Sequence, residues 1–160
     1  MTATPDPYAT FRPRRGRTVA WAFAVAALLV FAGLALIMPS TGYRGWTAAD
    51  SLMVLGFGVV VAAAMWRFAR IRAVPDQDGV VVRNVLLTRR LSWAEISRVR
   101  FSGGDAWAWL DLEEGDEVAV MAIQRSDGEY ARHEAARLVA LLQVSSQGGQ
   151  RGGRRGGRRE

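Results

Sequence analysis

The side chains best suited to chemistry crowd one predicted turn, where Glu113, Glu114, Asp116 and Glu117 lie close together along the chain. Paired carboxylates can transfer protons or bind a hard cation. Gly115 and the strand-like runs on either side predict the tip of a β-hairpin. Because a hairpin tip offers neither a cleft nor a fixed geometry, we expect these acids to serve solubility.

Other catalytic groups are scarce. The chain has no cysteine, which excludes disulfides, cysteine-ligated metal centres and thiolate catalysis. Its single histidine, His133, falls on the polar side of a predicted helix, with no second histidine to share a metal. No nucleophile elbow, glycine-rich phosphate loop or metal-ligand spacing is present. We therefore predict a protein that is not an enzyme and holds no cofactor or metal.

Charge is distributed unevenly along the chain. All 21 cationic side chains are arginines, and the net charge is +6. Residues 1–17 and the last ten residues are strongly basic, whereas residues 73–150 carry eight arginines against twelve acids. The high isoelectric point thus belongs to the flanking segments, and the predicted folded domain is mildly acidic.

Two apolar runs before residue 70 predict a transmembrane hairpin. Residues 18–38 contain no charge, and 21 residues of helix span roughly 30 Å, the thickness of a hydrocarbon core. Pro39 ends this run, and a short polar connection leads to a second run at 48–68. Backbone polar groups in lipid must be satisfied internally, so both runs should be helices.

Arginine asymmetry predicts the orientation of this hairpin. The connection has only Arg44, offset by Asp50, whereas arginines cluster on both outer sides: Arg12, Arg14, Arg15 and Arg17 before the first span, and Arg67, Arg70 and Arg72 after the second. Cytoplasmic loops are the arginine-rich ones, so both termini should be cytoplasmic at the cell membrane. A cleaved signal peptide ending near residue 42 is the alternative, but its apolar run would be too long and the second span unexplained.

After residue 72 the pattern changes to short strands. A turn at 76–79 precedes VVVRN, and LLTRRLSW, VRF, AWAWLDL and EVAVMAI follow with alternating or β-branched residues. The last element is an amphipathic helix that begins near a capping box of Ser126 and Glu129. Five or six antiparallel strands closed by one helix predict a small plugged β-barrel, so the fold class is α+β.

The corner Trp93-Ala94-Glu95-Ile96 has a structural interpretation. Trp93 and Ile96 should pack where the chain turns between strands, although an exposed Trp93 that contacts a partner remains an alternative. Trp107 and Trp109 share a strand face with Asp111, opposite the leucines. They either cover the second side of the barrel or form an exposed aromatic patch.

A D-G turn before V-V-V-R-N, then T-R-R-L-S-W-A-E-I-S-R-V, a D-L-x-x-G hairpin and a closing helix resemble the bacterial pleckstrin-homology-like (PH-like) domain over residues 73–144. Together with the two spans, the chain resembles small actinobacterial membrane proteins grouped with a low-molecular-weight mycobacterial antigen. This resemblance implies a split barrel capped by a helix and a non-catalytic binding role.

Five arginines are candidates for contact with an anionic surface or ligand; they are Arg83, Arg89, Arg90, Arg98 and Arg100. In eukaryotic relatives of the superfamily, cations near the first strand pair can hold a lipid headgroup, but that lysine–arginine motif has no clear counterpart here. Three interpretations remain open: a solvated strand face, general contact with an anionic surface, or a specific headgroup or peptide site.

Residues 145–160 form an Arg/Gly-rich tail that cannot bury apolar surface and is predicted to be disordered. Such a tail could bind acidic lipid, RNA or nothing, and nucleic acid is the less expected partner in a protein held at the inner leaflet.

The sequence thus predicts a membrane-anchored binding or scaffolding module at the inner face of the cell membrane. Its partner would be a protein segment, a lipid or another copy of itself, and a groove between the closing helix and adjacent strands would accept an added strand. The alternative is an accessory subunit of a transporter or envelope complex, in which the transmembrane hairpin is the working part.

Overall fold

The computed structural model of this chain describes residues 6–42 and 45–156, with the backbone alone from residue 148 onward. The chain forms two compact units. One is Arg15–Arg70, and the other joins Met1–Arg14 to Ile71–Glu160. The first unit is a helical hairpin, and the second, called the domain unit below, contains all the strands.

The helical hairpin agrees closely with the two predicted spans. Helix α1 is Arg15–Ile37, a 3-10 turn that includes Pro39 follows, and helix α2 is Ala48–Ala69. Thr47 caps α2 through a reciprocal pair of hydrogen bonds with Asp50. Both helices are long and apolar enough to cross a membrane, and most of their side chains are exposed, unlike those of a soluble core helix.

Small residues line the contact between α1 and α2. Ala20 and Ala24 are buried on α1, and Gly58 and Ala62 are buried on α2. A Cβ atom at Gly58 would lie 2.5 Å from the Cβ of Phe31, so no larger residue fits there. Close approach of the two backbones therefore depends on these small side chains.

Six strands form two antiparallel three-stranded sheets, β1-β2-β3 and β4-β5-β6. Their bounds are β1 Arg72–Pro75, β2 Gly79–Arg83, β3 Thr88–Ser92, β4 Ile96–Arg100, β5 Trp107–Leu112 and β6 Glu117–Gln124. A 3-10 turn, Trp93–Glu95, connects the two sheets at the predicted corner. Alternate residues of β5 and β6 are buried, as period-two patterning requires.

Helix α3, Glu129–Gly156, completes the domain unit and differs from the prediction at both ends. The predicted capping box of Ser126 and Glu129 is replaced by a 3-10 turn, Arg125–Asp127, and by Gly128 at a φ of 62°. At the other end the helix continues through residues 145–156, where disorder was predicted because the Arg/Gly-rich segment cannot bury apolar surface. Residues 157–160 lie outside the described part of the chain.

One hydrophobic core joins both sheets to α3. Its largest fully buried side chains include Leu91 from the first sheet, Leu110 and Ile123 from the second, and Leu138 from the helix. Phe11, from the segment before α1, is buried in the same core. Residues that precede the helical hairpin in sequence therefore help to build the core of the domain that follows it.

Candidate binding groove

A cleft of about 550 Å³ lies between the corner, the start of β4 and the C-terminal part of α3. We call it the β4–α3 groove, and its lining includes Trp93, Ile96, Ser97, Glu113, Leu142 and Ser146. Trp93 and Ile96 are largely buried and form its floor, whereas Glu113 is exposed at its rim. The groove thus combines an apolar floor with a polar edge, as binding sites commonly do.

The corner beside this groove is held by hydrogen bonds. The Trp93 indole Nε1 donates to the carbonyl oxygen of Asp76 at 3.0 Å, which satisfies its polar atom. The backbone N–H and the hydroxyl of Ser92 both donate to one Glu95 carboxylate oxygen. These bonds to the Ser92 hydroxyl and backbone hold the pKa of Glu95 below its usual value.

Strand β4 presents a free edge next to the groove. It pairs with β5 on one side, and its other edge takes no strand among residues 6–42 and 45–156. Unpaired backbone groups on such an edge can bond to an extended segment. The predicted groove between the closing helix and an adjacent strand is therefore present as a geometric feature.

Two of the five candidate arginines, Arg98 and Arg100, project from β4 into ion pairs. Arg98 lies 2.9 Å from Asp111, and Arg100 lies 2.8 Å from Glu117 and 3.5 Å from Asp111. Exposed pairs of this kind contribute about 0–1 kcal/mol each. They nevertheless direct these two cations toward neighbouring strands of their own sheet.

The other three arginines lie at the β2–β3 hairpin. Arg90 is paired with Asp76 at 3.1 Å, and Arg89 lies 3.9 Å from Asp116. Arg83 is half-buried at the end of β2. The five predicted cations therefore belong to two different sheets.

The acids of the predicted turn and the single histidine lie on the surface. Glu113 and Glu114 are exposed, and the other two turn acids meet arginines as described above. His133 is 80% exposed, with its Nδ1 atom 3.7 Å from Glu134. Within the described ranges no group of three acidic, histidine or cysteine side chains could hold a metal ion.

The segment before α1 contributes to the domain unit, which was not predicted from the sequence. Phe11 and Ala73 form an antiparallel bridge, with backbone bonds of 2.9 and 3.1 Å in the two directions. The Phe11 side chain is 0% exposed. This segment, residues 6–14, forms one β-bridge with the free edge of β1, and we call it the N-terminal strap.

Arg137 of α3 fastens the strap. Its Nη1 donates to the carbonyl oxygens of Pro7 and Ala9, and its guanidinium lies 3.9 Å from the centre of the Phe11 ring. The same guanidinium contacts the largely buried Glu134 at 2.6 Å. The Arg137 side chain therefore holds the strap against α3 by hydrogen bonds and a cation–π contact, and it is itself held by an ion pair.

Asp127 provides a second attachment for the strap, because its carboxylate accepts a hydrogen bond from the backbone N–H of Arg14 at 2.9 Å. The Arg14 guanidinium lies 3.8 Å from the centre of the Tyr130 ring. One sequence signal could have indicated the strap, namely a large aromatic residue, Phe11, inside a basic segment outside the predicted span.

Asn84 has a structural role that the sequence did not reveal. Its side-chain amide donates to the carbonyl oxygen of Ala119 at 2.7 Å and accepts from the backbone N–H of Met121 at 3.2 Å. The side chain thus replaces a missing backbone partner for β6 and connects the two sheets. In the sequence this residue was indistinguishable from an ordinary asparagine at a turn.

Comparisons with known proteins agree with this architecture. The family model described as "Bacterial PH domain" matches residues 70–140. The uncharacterised protein Rv1417 of Mycobacterium tuberculosis is 37% identical over 134 residues, which cover 82% of this chain and 86% of that protein. Low molecular weight protein antigen 6 of the same species is 30% identical over 93 residues, covering 58% of this chain and 75% of the antigen.

No solved structure matches the chain. The family match spans β1 to β6 and the first part of α3, and the similarity to Rv1417 is long enough to include most of the helical hairpin. The predicted resemblance is confirmed, and the chain belongs to an actinobacterial family of bacterial PH-domain proteins.

Proposed function

We propose that this protein is a membrane-anchored, non-catalytic binding module. Its PH-like domain, a split barrel made of the two sheets and closed by α3, would accept an extended segment of a partner protein as an added strand along β4. The observation that supports this most directly is the β4–α3 groove, because it places an apolar floor beside a free strand edge.

The lining of the groove suggests the chemistry of the partner. Trp93, Ile96 and Leu142 offer apolar contacts, and Glu113 lies at the rim. In an added strand, alternate side chains point to the same face. A suitable segment therefore has apolar residues at alternate positions, with a basic residue placed to meet Glu113.

Membrane anchoring at the inner face is part of the same proposal. Two helices of suitable length and apolarity support it, as does the cluster of arginines outside both. The N-terminal strap gives independent support. Because residues before α1 and after α2 fold into one unit, both ends of the hairpin would lie on the same side of a membrane.

Site-specific photo-crosslinking of the full chain in membranes tests the groove. A photoreactive residue at Ser146, in the groove, is compared with one at Arg132, an exposed position earlier on α3. We expect a discrete crosslinked partner from position 146 and none from position 132. A groove-filling substitution, Ala94→Trp, should abolish that crosslink while the protein stays in the membrane fraction.

Identical crosslinking patterns at the two positions, or a pattern unaffected by Ala94→Trp, would show that the groove does not bind the partner. Identification of a crosslinked segment with alternating apolar residues would support strand addition. Exchange of both helices for an unrelated anchor addresses the transporter-subunit alternative, because a binding module should keep its crosslink after that exchange.

A further inference from the structure

The turn between β2 and β3 exposes two adjacent leucines. Leu86 is 81% exposed and Leu87 is 70% exposed, and the turn is closed by a bond from the backbone N–H of Asn84 to the carbonyl oxygen of Leu87. Within the described part of the domain unit, the only other large apolar side chain with comparable exposure is Val144. The two leucines together form an apolar patch at the hairpin tip, which makes the tip a candidate contact surface.

The register of the first sheet places this tip at a particular end of the domain. Arg72, the first residue of β1, is paired with Arg83, the last residue of β2, and the leucine tip extends beyond that pair. Arg72 follows the last residue of α2, Ala69, by three positions. The tip therefore lies at the end of the sheet where the chain arrives from the second apolar helix.

The connection from the strap to the first apolar helix also starts at this end of the sheet. Phe11 is bridged to Ala73, next to Arg72, and α1 begins at Arg15. Both chain connections to the helical hairpin thus leave the domain unit near the start of β1. In a membrane-anchored protein, this end of the sheet is the one that the connections hold close to the bilayer.

Cations flank the leucines on both strands. Arg83 ends β2, and Arg89 is the second residue of β3. The Arg89 pair with Asp116 is long, at 3.9 Å, and both side chains are well exposed, so it can exchange for another anion at little cost. Apolar residues beside arginines match the boundary between acyl chains and anionic headgroups.

We infer that the β2–β3 tip inserts into the membrane that carries the helical hairpin. Leu86 and Leu87 enter the acyl boundary of the anionic inner leaflet, and Arg83 and Arg89 meet lipid phosphates. This inference rests on the anchoring part of the proposed function. It leaves the β4–α3 groove free for a protein partner, because the groove is lined by the corner and α3 instead of by this turn.

The absence of native cysteine allows a direct depth measurement. The full chain with Leu86→Cys carries a bimane label and is reconstituted into vesicles of phosphatidylcholine and phosphatidylglycerol that contain doxyl-labelled lipid. The matched control is Gln77→Cys, an exposed residue in the β1–β2 turn at the opposite end of the same sheet. The five residues of β2 separate the β1–β2 turn from the β2–β3 turn by roughly 17 Å.

We expect the label at position 86 to be quenched severalfold more strongly than the label at position 77, with a blue-shifted emission. Adding Leu87→Asp to the Leu86→Cys chain should remove most of this quenching while circular dichroism stays unchanged. Vesicles without phosphatidylglycerol should give weaker quenching, which separates an anionic surface from a purely apolar one.

Equal quenching at positions 86 and 77, in a chain that resists alkaline extraction, would overturn the inference and leave the anchoring proposal standing. A chain that alkaline extraction releases from the vesicles would overturn both. Since the purified system contains no other protein, quenching at position 86 cannot come from a protein partner that covers the leucines.

Discussion

Replacement of Phe11 by alanine would show whether the N-terminal strap is part of the folded domain. The ring is fully buried in the domain core, although it precedes that domain by a complete helical hairpin. Truncation of a buried phenylalanine costs about 3–5 kcal/mol through lost burial and the remaining cavity. The two backbone bonds to Ala73 do not involve the side chain and can persist in the variant.

The expected loss is large compared with the stability of a small domain, about 5–15 kcal/mol. With a urea dependence of about 1–3 kcal/mol per molar, a loss of 4 kcal/mol lowers the midpoint by roughly 2 M. The ring also contacts Arg137 from 3.9 Å. That cation–π interaction adds about 0.5–2 kcal/mol, so the predicted effect lies in the upper part of the range.

Pulse proteolysis of the full chain in urea and mild detergent measures the free energy of unfolding of the domain. Arg12→Ala is the matched control, because this neighbouring side chain is exposed, and a change within about 0.5 kcal/mol is expected. A loss below about 1 kcal/mol for Phe11→Ala would refute the assignment of the strap to the core.

Three further changes test the packing of particular residues. Gly79→Ala would place a Cβ 2.0 Å from a backbone oxygen of β3, so we expect severe destabilisation, measurable by the same urea assay. Asn84→Ala leaves two backbone groups of β6 without their partner, and a loss of about 2–4 kcal/mol is expected in that assay. Because Ser92 lowers the pKa of Glu95 in the folded state, the stability that Glu95 contributes is present above its unfolded pKa and is lost as pH falls through the lower folded value. Ser92→Ala removes the hydroxyl donor but keeps the backbone N–H donor, so it should raise the pKa of Glu95 in an NMR titration and weaken this acid sensitivity.

Periodicity and composition were sufficient to predict the elements that bury side chains in a regular pattern. The absence of charge over residues 18–38 predicted α1 to within three residues at its start, and alternation predicted β5 and β6. Strand β1 was harder to predict, because Arg72–Pro75 has only four residues and ends at a proline directly before the predicted turn. Periodicity in the sequence is the strongest signal for elements in which one face must be apolar.

Contacts between distant segments were the part that could not be predicted. Phe11 and Ala73 are separated by two helices. The aromatic Phe11 in a basic segment is a signal for a buried residue, but nothing near either residue indicates that the two pair with each other. Asn84 is similar, since its role depends on where β6 arrives in space. The candidate arginines show the reverse case: their presence was obvious, but their acidic partners, such as Asp111 for Arg98, depend on strand register.

The side of the membrane on which the domain lies is the central claim, and impermeant cysteine labelling in intact cells measures it most directly. The chain with Gln77→Cys is compared with a chain carrying Ser40→Cys in the connection between the helices. We predict that an external maleimide labels only position 40, and that position 77 reacts once the membrane is permeabilised. Labelling of position 77 in intact cells would contradict the proposed orientation and the inner-face role together.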